Sequence, residues 1–442
     1  MVDLIYILLF IISITTLVSN KLKYSVLLFF VFVTKGLSFL PDQGSIVKAS
    51  YLAFFYVIIY CFLNYRKIIY IVKTNSTYKK IFSLLIFFIV SILFSIMYYN
   101  FPMGLSIITG LRYLIFAAIF IFLSLTEIDY KWLFKVLFYF TFIASILYIL
   151  ESLTGVQLMP TESYDQGGLS EQGFYHWGNI PPLLNIFIPI SIFYTDIIPN
   201  KLKKIAPAVF LSAIFITMFR MAIVTTVLCI LFVMIMKGAS KRNLFALLVL
   251  VVVFLFFKDA LEIRVNSESQ TSNDIEAVLK GDFHQADYQG TNKLTMTYRF
   301  AWMYERFEYL SKKPIELLFG LGMITDESPS ASKYHFNFGL LNANSQKVNQ
   351  IRSPDIAWGN LLTCYGLLGS FFLLTFYVSL LKKLYRYRKY DDLSIILFAL
   401  LLTSLLTSFS GATFSEPYFW PPIFFFCGYL FQRAKTKQLC IK

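Results

Sequence analysis

Four arginines stand where an arginine is costly or conspicuous. Arg112 lies inside the apolar run Met103–Leu125, and Arg220 inside a nearly continuous apolar stretch from Ile205 to Met236. A guanidinium in hydrocarbon is expensive, so each must reach a polar cavity, a membrane boundary or a partner. For Arg112 the competing reading is a structural contact between helices. For Arg220 it is a snorkelling side chain that ends a helix. Arg299 and Arg306 share the segment ThrMetThrTyrArgPheAlaTrpMetTyrGluArg with Trp302 between them. A guanidinium there suits phosphate, because it makes two parallel bonds to phosphate oxygens. An ordinary solvated helix face is the plainer alternative.

One carboxylate is well placed for proton transfer. Asp355 follows Ser353–Pro354 where a long polar segment re-enters an apolar run. Beside low-dielectric lipid its pKa would rise toward the range of a general base. It also fits as the N-cap of the helix that follows, and both roles are compatible. Asn360 and Thr363 lie further along that helix, within reach of a polar cavity. Glu162, Asp165 and Glu171 could contact a sugar or be solvated charge. His176, His284 and His335 lack metal-ligand spacing and read as ordinary loop residues. Cys61, Cys229, Cys364, Cys427 and Cys440 form no CxxC pair, so neither a metal site nor a disulfide framework is indicated. No cofactor is expected.

The elements that must hold these residues are membrane helices. Hydrophobic residues make up 57% of the 442 and charged residues only 14%, against about 25% charged in soluble domains. Runs such as Ile81–Tyr99 and Asn243–Phe257 recur between short polar knots. An apolar run of about 20 residues spans a bilayer as a helix, which satisfies its own backbone. About 12 to 13 such segments are expected, centred near Leu9, Phe32, Tyr56, Val90, Phe116, Phe142, Phe187, Ala213, Cys229, Val251, Phe371, Leu400 and Phe425. The fold class is all-α, a polytopic membrane helix bundle with one large helical extracytoplasmic loop. Residues 1–257 form an N-terminal bundle that includes an outer loop at 152–182. Residues 258–355 form the large loop, and 356–442 the last helices and a basic tail. The N-terminus reads as a retained first helix rather than a cleaved signal.

Loop charge alternates. Lys21/Lys23, Arg66 to Lys80, Lys201 to Lys204, Lys237 to Arg242, Lys382 to Lys389 and the tail from Arg433 are basic. The intervening loops are short or mixed. Basic loops mark the cytoplasmic side, so the long loops face outward and the N-terminus lies outside. The same bias accounts for the net charge of +14 without nucleic acid. Within the large loop, Met296, Phe300, Met303, Tyr304, Phe307, Tyr309 and Leu310 recur at helical spacing. They predict an amphipathic helix ending near Lys312–Lys313–Pro314, lying on the membrane surface or capping the bundle.

The order of these elements resembles the O-antigen ligase and polymerase superfamily (the Wzy/WaaL type). IleThrMetPheArgMetAla matches its outer helix end, with Arg220 at the arginine. TyrArgPheAlaTrp through LysLysProIleGluLeuLeuPheGlyLeuGly matches a second pattern through Arg299, Trp302, Pro314, Gly320 and Gly322. AspIleAlaTrpGlyAsn through Gly366 and Gly369 matches a third, with Asp355 where the ligases carry histidine. Phe219 replaces a serine, and the segment after Pro314 is about three residues longer than in ligases. The matched region is about Ile205–Leu380. The aspartate favours a polymerase over a ligase.

The resemblance implies a bundle related to the GT-C glycosyltransferases, in the bacterial cytoplasmic (inner) membrane with its site facing the periplasm. The implied reaction moves a growing O-antigen, capsule or exopolysaccharide chain from undecaprenyl pyrophosphate to the non-reducing end of a lipid-linked repeat. It implies no metal, an inverting transfer, and a chain-length regulator as partner. Arg220 and Arg299 would stabilise the leaving pyrophosphate and Asp355 would act as base, with Arg112, Arg306, Trp302 and Asn360 binding substrate. A ligase with the same donor, or a flippase of lipid-linked oligosaccharide, are the alternatives. The single very long loop and the absence of an internal repeat speak against the flippase.

Overall fold

The computed structural model describes residues 2–34, 49–124, 129–159, 174–238, 295–341, 348–353 and 356–441, apart from a few positions within those ranges, and some positions between 244 and 255. The described residues are about 80% helical. In chain order the helices are α1 (Val2–Val18), α2 (Leu22–Val33), α3 (Ala49–Leu63), α4 (Tyr65–Thr74), α5 (Ser76–Met97), α6 (Met103–Leu111), α7 (Ala118–Ser124) and α8 (Tyr130–Thr154). They continue with α9 (Leu184–Phe193), α10 (Ala206–Ile216), α11 (Arg220–Lys237), α12 (Thr295–Ser311), α13 (Pro314–Phe319), α14 (Ala357–Tyr387), α15 (Asp392–Leu406) and α16 (Trp420–Ile441). A strand β1 (Phe336–Leu341), bridged at Phe336 to Val348, was not anticipated.

Among the described residues four helices are long and apolar enough to cross a membrane: Ser76–Met97, Met103–Ser124, Tyr130–Thr154 and Ala357–Tyr387. The sequence predicts about 12 to 13 spans. The described residues supply these four, one bent pair, and six shorter apolar helices of 10–17 residues. The shortfall has local causes. Pro189 sits within α9, whose ten residues cannot span alone. The chain turns by 83° between α3 and α4. At that corner the Asn64 side chain donates to the Tyr60 carbonyl, and α4 buries only Ile68 while keeping Arg66, Lys67 and Lys73 exposed. Thus an amphipathic helix occupies part of what reads as a basic loop. The segment centred on Val251 lies mostly outside the described residues.

The bundle has two chemically distinct ends. At one, Lys23 stands over the Trp132 ring at 5.4 Å, and Lys383 donates to the Tyr78 hydroxyl at 2.6 Å. Lys237 pairs with Asp392 at 2.6 Å, and Arg433 with Asp391 at 3.2 Å. The loops that the sequence groups by positive charge therefore meet in space. Along α5 the exposed residues Phe82, Ile86, Ile89 and Leu93 follow helical spacing, a stripe suited to lipid rather than water. The interior is aromatic: Phe425 touches Phe30, Phe122, Phe134 and Tyr130 with ring centroids 5.1–5.6 Å apart. Such contacts supply packing between helices where lipid removes much of the hydrophobic drive.

The expected loop helix is present but differently arranged. It runs over Thr295–Ser311 and stops before Lys312–Lys313, and Pro314 then opens α13. Its buried face is Ala301, Trp302, Arg306 and Leu310, whereas Tyr304 and Phe307 are exposed. The inward stripe thus includes an arginine that binary patterning assigns to solvent.

Candidate functional site

At the end opposite the basic loops, a cavity of about 520 Å³ is lined by Arg112, Arg352, Asp326, Asn360, Glu416 and Ser50, among others. Arg112 reaches it because the Met103–Ser124 span is not regular: α6 gives way to a 3-10 turn over Arg112–Ala117. Such a turn within a helix marks a local departure from ideal packing. The Arg112 guanidinium donates to the Tyr113 hydroxyl at 2.6 Å. Its Nε is buried with no hydrogen-bond partner among the described residues, and the same holds for Nε of Arg352. Both guanidiniums lie over the Tyr113 ring, at 4.8 and 6.0 Å from its centroid. Buried unpaired donors are costly, and an anion in the cavity would satisfy them.

Arg352 is placed by the chain around it. The Gln350 carbonyl accepts from Arg306 at 2.9 Å. The backbone N–H groups of Ile351 and Arg352 both donate to Asp326 Oδ1. Ser353 donates from its N–H to Asn360 Oδ1 at 2.7 Å, and its carbonyl accepts from Asn360 Nδ2. Side chains from α12, from α14 and from the segment after α13 therefore hold four consecutive residues.

Glu416 enters from the short segment between α15 and α16. Burial raises its carboxyl pKa above the ordinary value, and the facing Arg112 charge opposes that rise.

The residues nominated from sequence divide by position. Arg112 and Asn360 line the cavity. Asn360 is 2% exposed and its amide is occupied by the Ser353 backbone. Trp302 and Arg306 lie beneath the cavity wall. A Cβ on Gly359 would come within 2.4 Å of the Trp302 ring. The Arg306 guanidinium is stacked between Trp302 and Phe336, 4.1 and 4.0 Å from their centroids. It also donates to Glu305 at 2.7 Å, and Glu305 in turn accepts from the N–H groups of Asn337 and Phe338. Burial lowers the Arg306 pKa and the Glu305 charge counters it. Arg306 is thus engaged within the protein, not at the cavity. Arg299 is half-buried on α12 and is not among the lining residues. Arg220 opens α11, and its side chain lies outside the described residues, as does Asp355. Arg352, Asp326 and Glu416 were not singled out from sequence.

An apolar cavity of about 370 Å³ adjoins the first through Ser50 and is walled by Phe32, Val33, Ile180, Leu184, Phe419 and Pro422. Among the described residues no group of three or more His, Cys, Asp or Glu side chains is arranged to hold a metal ion. No family model matches this sequence, and no curated protein matches it significantly.

Proposed function

We propose that this protein is a membrane glycosyltransferase that polymerises lipid-linked glycan repeat units. One observation carries the reading: Arg112 and Arg352, each with a buried unpaired Nε, share a cavity with the carboxylate of Glu416. Two guanidiniums can stabilise the charge on a departing pyrophosphate, and a carboxylate can take the proton of the attacking hydroxyl. The cavity lies away from the basic loops, so the positive-inside bias turns it outward, where lipid-linked repeats are presented.

In this reading the donor's pyrophosphate sits against Arg112 and Arg352. Its polyprenyl tail follows the apolar cavity that begins at Ser50. The acceptor hydroxyl attacks the anomeric carbon and the bond from that carbon to the pyrophosphate oxygen breaks. The electron pair leaves on undecaprenyl pyrophosphate, whose new charge the arginines stabilise. The hydroxyl proton passes to a carboxylate. Glu416 is the base that the cavity offers, and Asp355, two residues beyond Ser353, is the one that the sequence resemblance offers. One base and no covalent intermediate give inversion at the anomeric carbon.

The test is an assay of purified protein with an undecaprenyl-pyrophosphate repeat unit as both donor and acceptor. A product ladder resolved by chain length is expected. Single-unit transfer to a different acceptor would indicate a ligase. Absence of any transfer with the native repeat would overturn the enzymatic reading.

A further inference from the structure

At the basic end of the bundle a second cavity, of about 620 Å³, lies between the start of α5 and the end of α14. Lys80 comes from α5, and Lys382, Lys383 and Arg386 from α14. Thr77 and Ser379 form its floor, their hydroxyls 3.0 Å apart. The cavity also meets the first turn of a 22-residue helix, whose positive end adds to the four cations.

This cluster differs from the other basic groups nearby. Lys237 and Arg433 each have a carboxylate partner, Asp392 and Asp391. Among the described residues Lys80, Lys382, Lys383 and Arg386 have none. Lys382 and Arg386 stand one turn apart on the same helix, an arrangement that costs stability unless something neutralises it. Lys383 is held in place, over the rings of Tyr78 and Phe431 at 4.2 and 4.1 Å. A fixed cation, three neighbours of the same sign and hydroxyls in a concave site form a receptor for a phosphate-type anion.

We propose that this cavity binds the phosphate of an anionic phospholipid headgroup. Both contributing helices are membrane-length, and the cations lie within the first two turns of α5 and the last two of α14, where lipid headgroups meet a spanning helix. The same helices carry exposed Phe82 and Val378 toward the bilayer, where acyl chains would run. A soluble phosphate shares the headgroup's chemistry but would make no use of those apolar flanks. The site is separate from the outward cavity and does not depend on the reaction proposed for it.

The test titrates full-length protein in uncharged detergent with dioctanoylphosphatidylglycerol, dioctanoylphosphatidylcholine and inorganic phosphate, following Kd. Saturable binding of the anionic lipid is expected. The double variant Lys382→Gln/Arg386→Gln should weaken it roughly 10- to 30-fold, as loss of two near-surface charges predicts. Lys80→Gln, on the other helix, should weaken it several-fold. Lys21→Gln/Lys23→Gln, at the same end but elsewhere, should leave it unchanged. Phosphate binding with the same dependence on Lys382 and Arg386, and no preference for the anionic lipid, would keep the anion site but overturn its lipid source. Equal binding by all variants, or equal loss in the Lys21/Lys23 control, would overturn the site.

Discussion

The backbone of Gly320 lies directly against that of Gly366. A Cβ on Gly320 would come within 2.6 Å of the Cys364 carbonyl carbon, and one on Gly366 within 2.4 Å of the Leu318 carbonyl oxygen. Both have positive φ, 73° and 61°, which only glycine adopts without strain. Leu321 donates across the seam to the Thr363 carbonyl at 2.7 Å. This contact docks α13 onto α14 and so fixes the segment around α13 relative to the bundle. Gly366→Ala is predicted to destabilise the protein by about 2 kcal/mol or more, from strain plus backbone overlap. Gly104, with nothing within 4 Å of its added Cβ, should tolerate alanine. Thermal unfolding in detergent compares the two, and equal midpoints would refute the seam as a stability determinant.

Removal of either cavity arginine should slow transfer severely while sparing the fold. Arg112→Gln and Arg352→Gln are each expected to reduce the turnover rate by roughly 10²- to 10³-fold, the usual cost of losing one donor to a developing anion. Lysine at either site should recover part of the rate, because it restores charge but not a two-point contact. Binding of the lipid-linked donor, measured separately, should weaken as well. Full activity in Arg352→Gln would remove that residue from the site.

Part of this arrangement was legible in the sequence. Arg112 stood out because a charge within an apolar run has few places to go, and it does line a cavity. Gly320 and Gly366 stood out only as matches to the family pattern, and they mark the docking seam. Asp326, Arg352 and Glu416 gave no comparable signal. They are polar residues in polar loops, and only tertiary folding brings three distant segments around Arg112. Arg306 misled for the opposite reason. Its charge suggested an exposed binding group, whereas the aromatic faces of Trp302 and Phe336 and the Glu305 carboxylate make burial tolerable. The bend at Asn64 was hidden because α3 and α4 read as one apolar segment followed by a basic loop.

Arg306 is accordingly predicted to matter for stability before activity. Arg306→Met would leave Glu305, its neighbour on α12, without its counter-charge, and would release the Gln350 carbonyl. A loss of about 3 kcal/mol is expected from such a broken buried pair. Arg306→Lys should fare little better, since an ammonium cannot stack flat between two rings. Unfolding midpoints of both variants should fall together. A variant with normal stability and selectively lost transfer would instead return Arg306 to the substrate-binding set.

The Asp326 carboxylate acts on Arg352 through the backbone, so its charge is less important than its acceptor oxygen. Asp326→Asn keeps an oxygen in position for the Ile351 and Arg352 N–H groups and should retain most activity. Asp326→Ala leaves both donors without it and should lower kcat about 10-fold, equivalent to roughly 1.4 kcal/mol. Asn360→Ala should cost more, because its amide serves Ser353 from both its oxygen and its nitrogen. Steady-state transfer rates would separate these cases. An Asn variant as impaired as the Ala variant would point to a role for the charge itself.

The pH profile tests Glu416 as the base. Burial raises its pKa, with Arg112 opposing. With Glu416 as the base the rate should fall as pH drops through that raised value, at a higher pH than an ordinary glutamate would give. Glu416→Gln should remove transfer altogether. Stability should move the other way. A raised folded-state pKa means that the folded protein holds this proton more tightly than the unfolded chain does. The resulting stabilisation is complete below the unfolded pKa and is lost as pH rises through the folded one. At neutral pH the wild type therefore carries the cost of a buried charge that Glu416→Gln lacks, and the variant should unfold at an equal or higher temperature. Rates from about pH 4 to about pH 8, with unfolding midpoints at each end, read both effects. Retained activity in Glu416→Gln, with loss in Asp355→Asn, would move the base to Asp355.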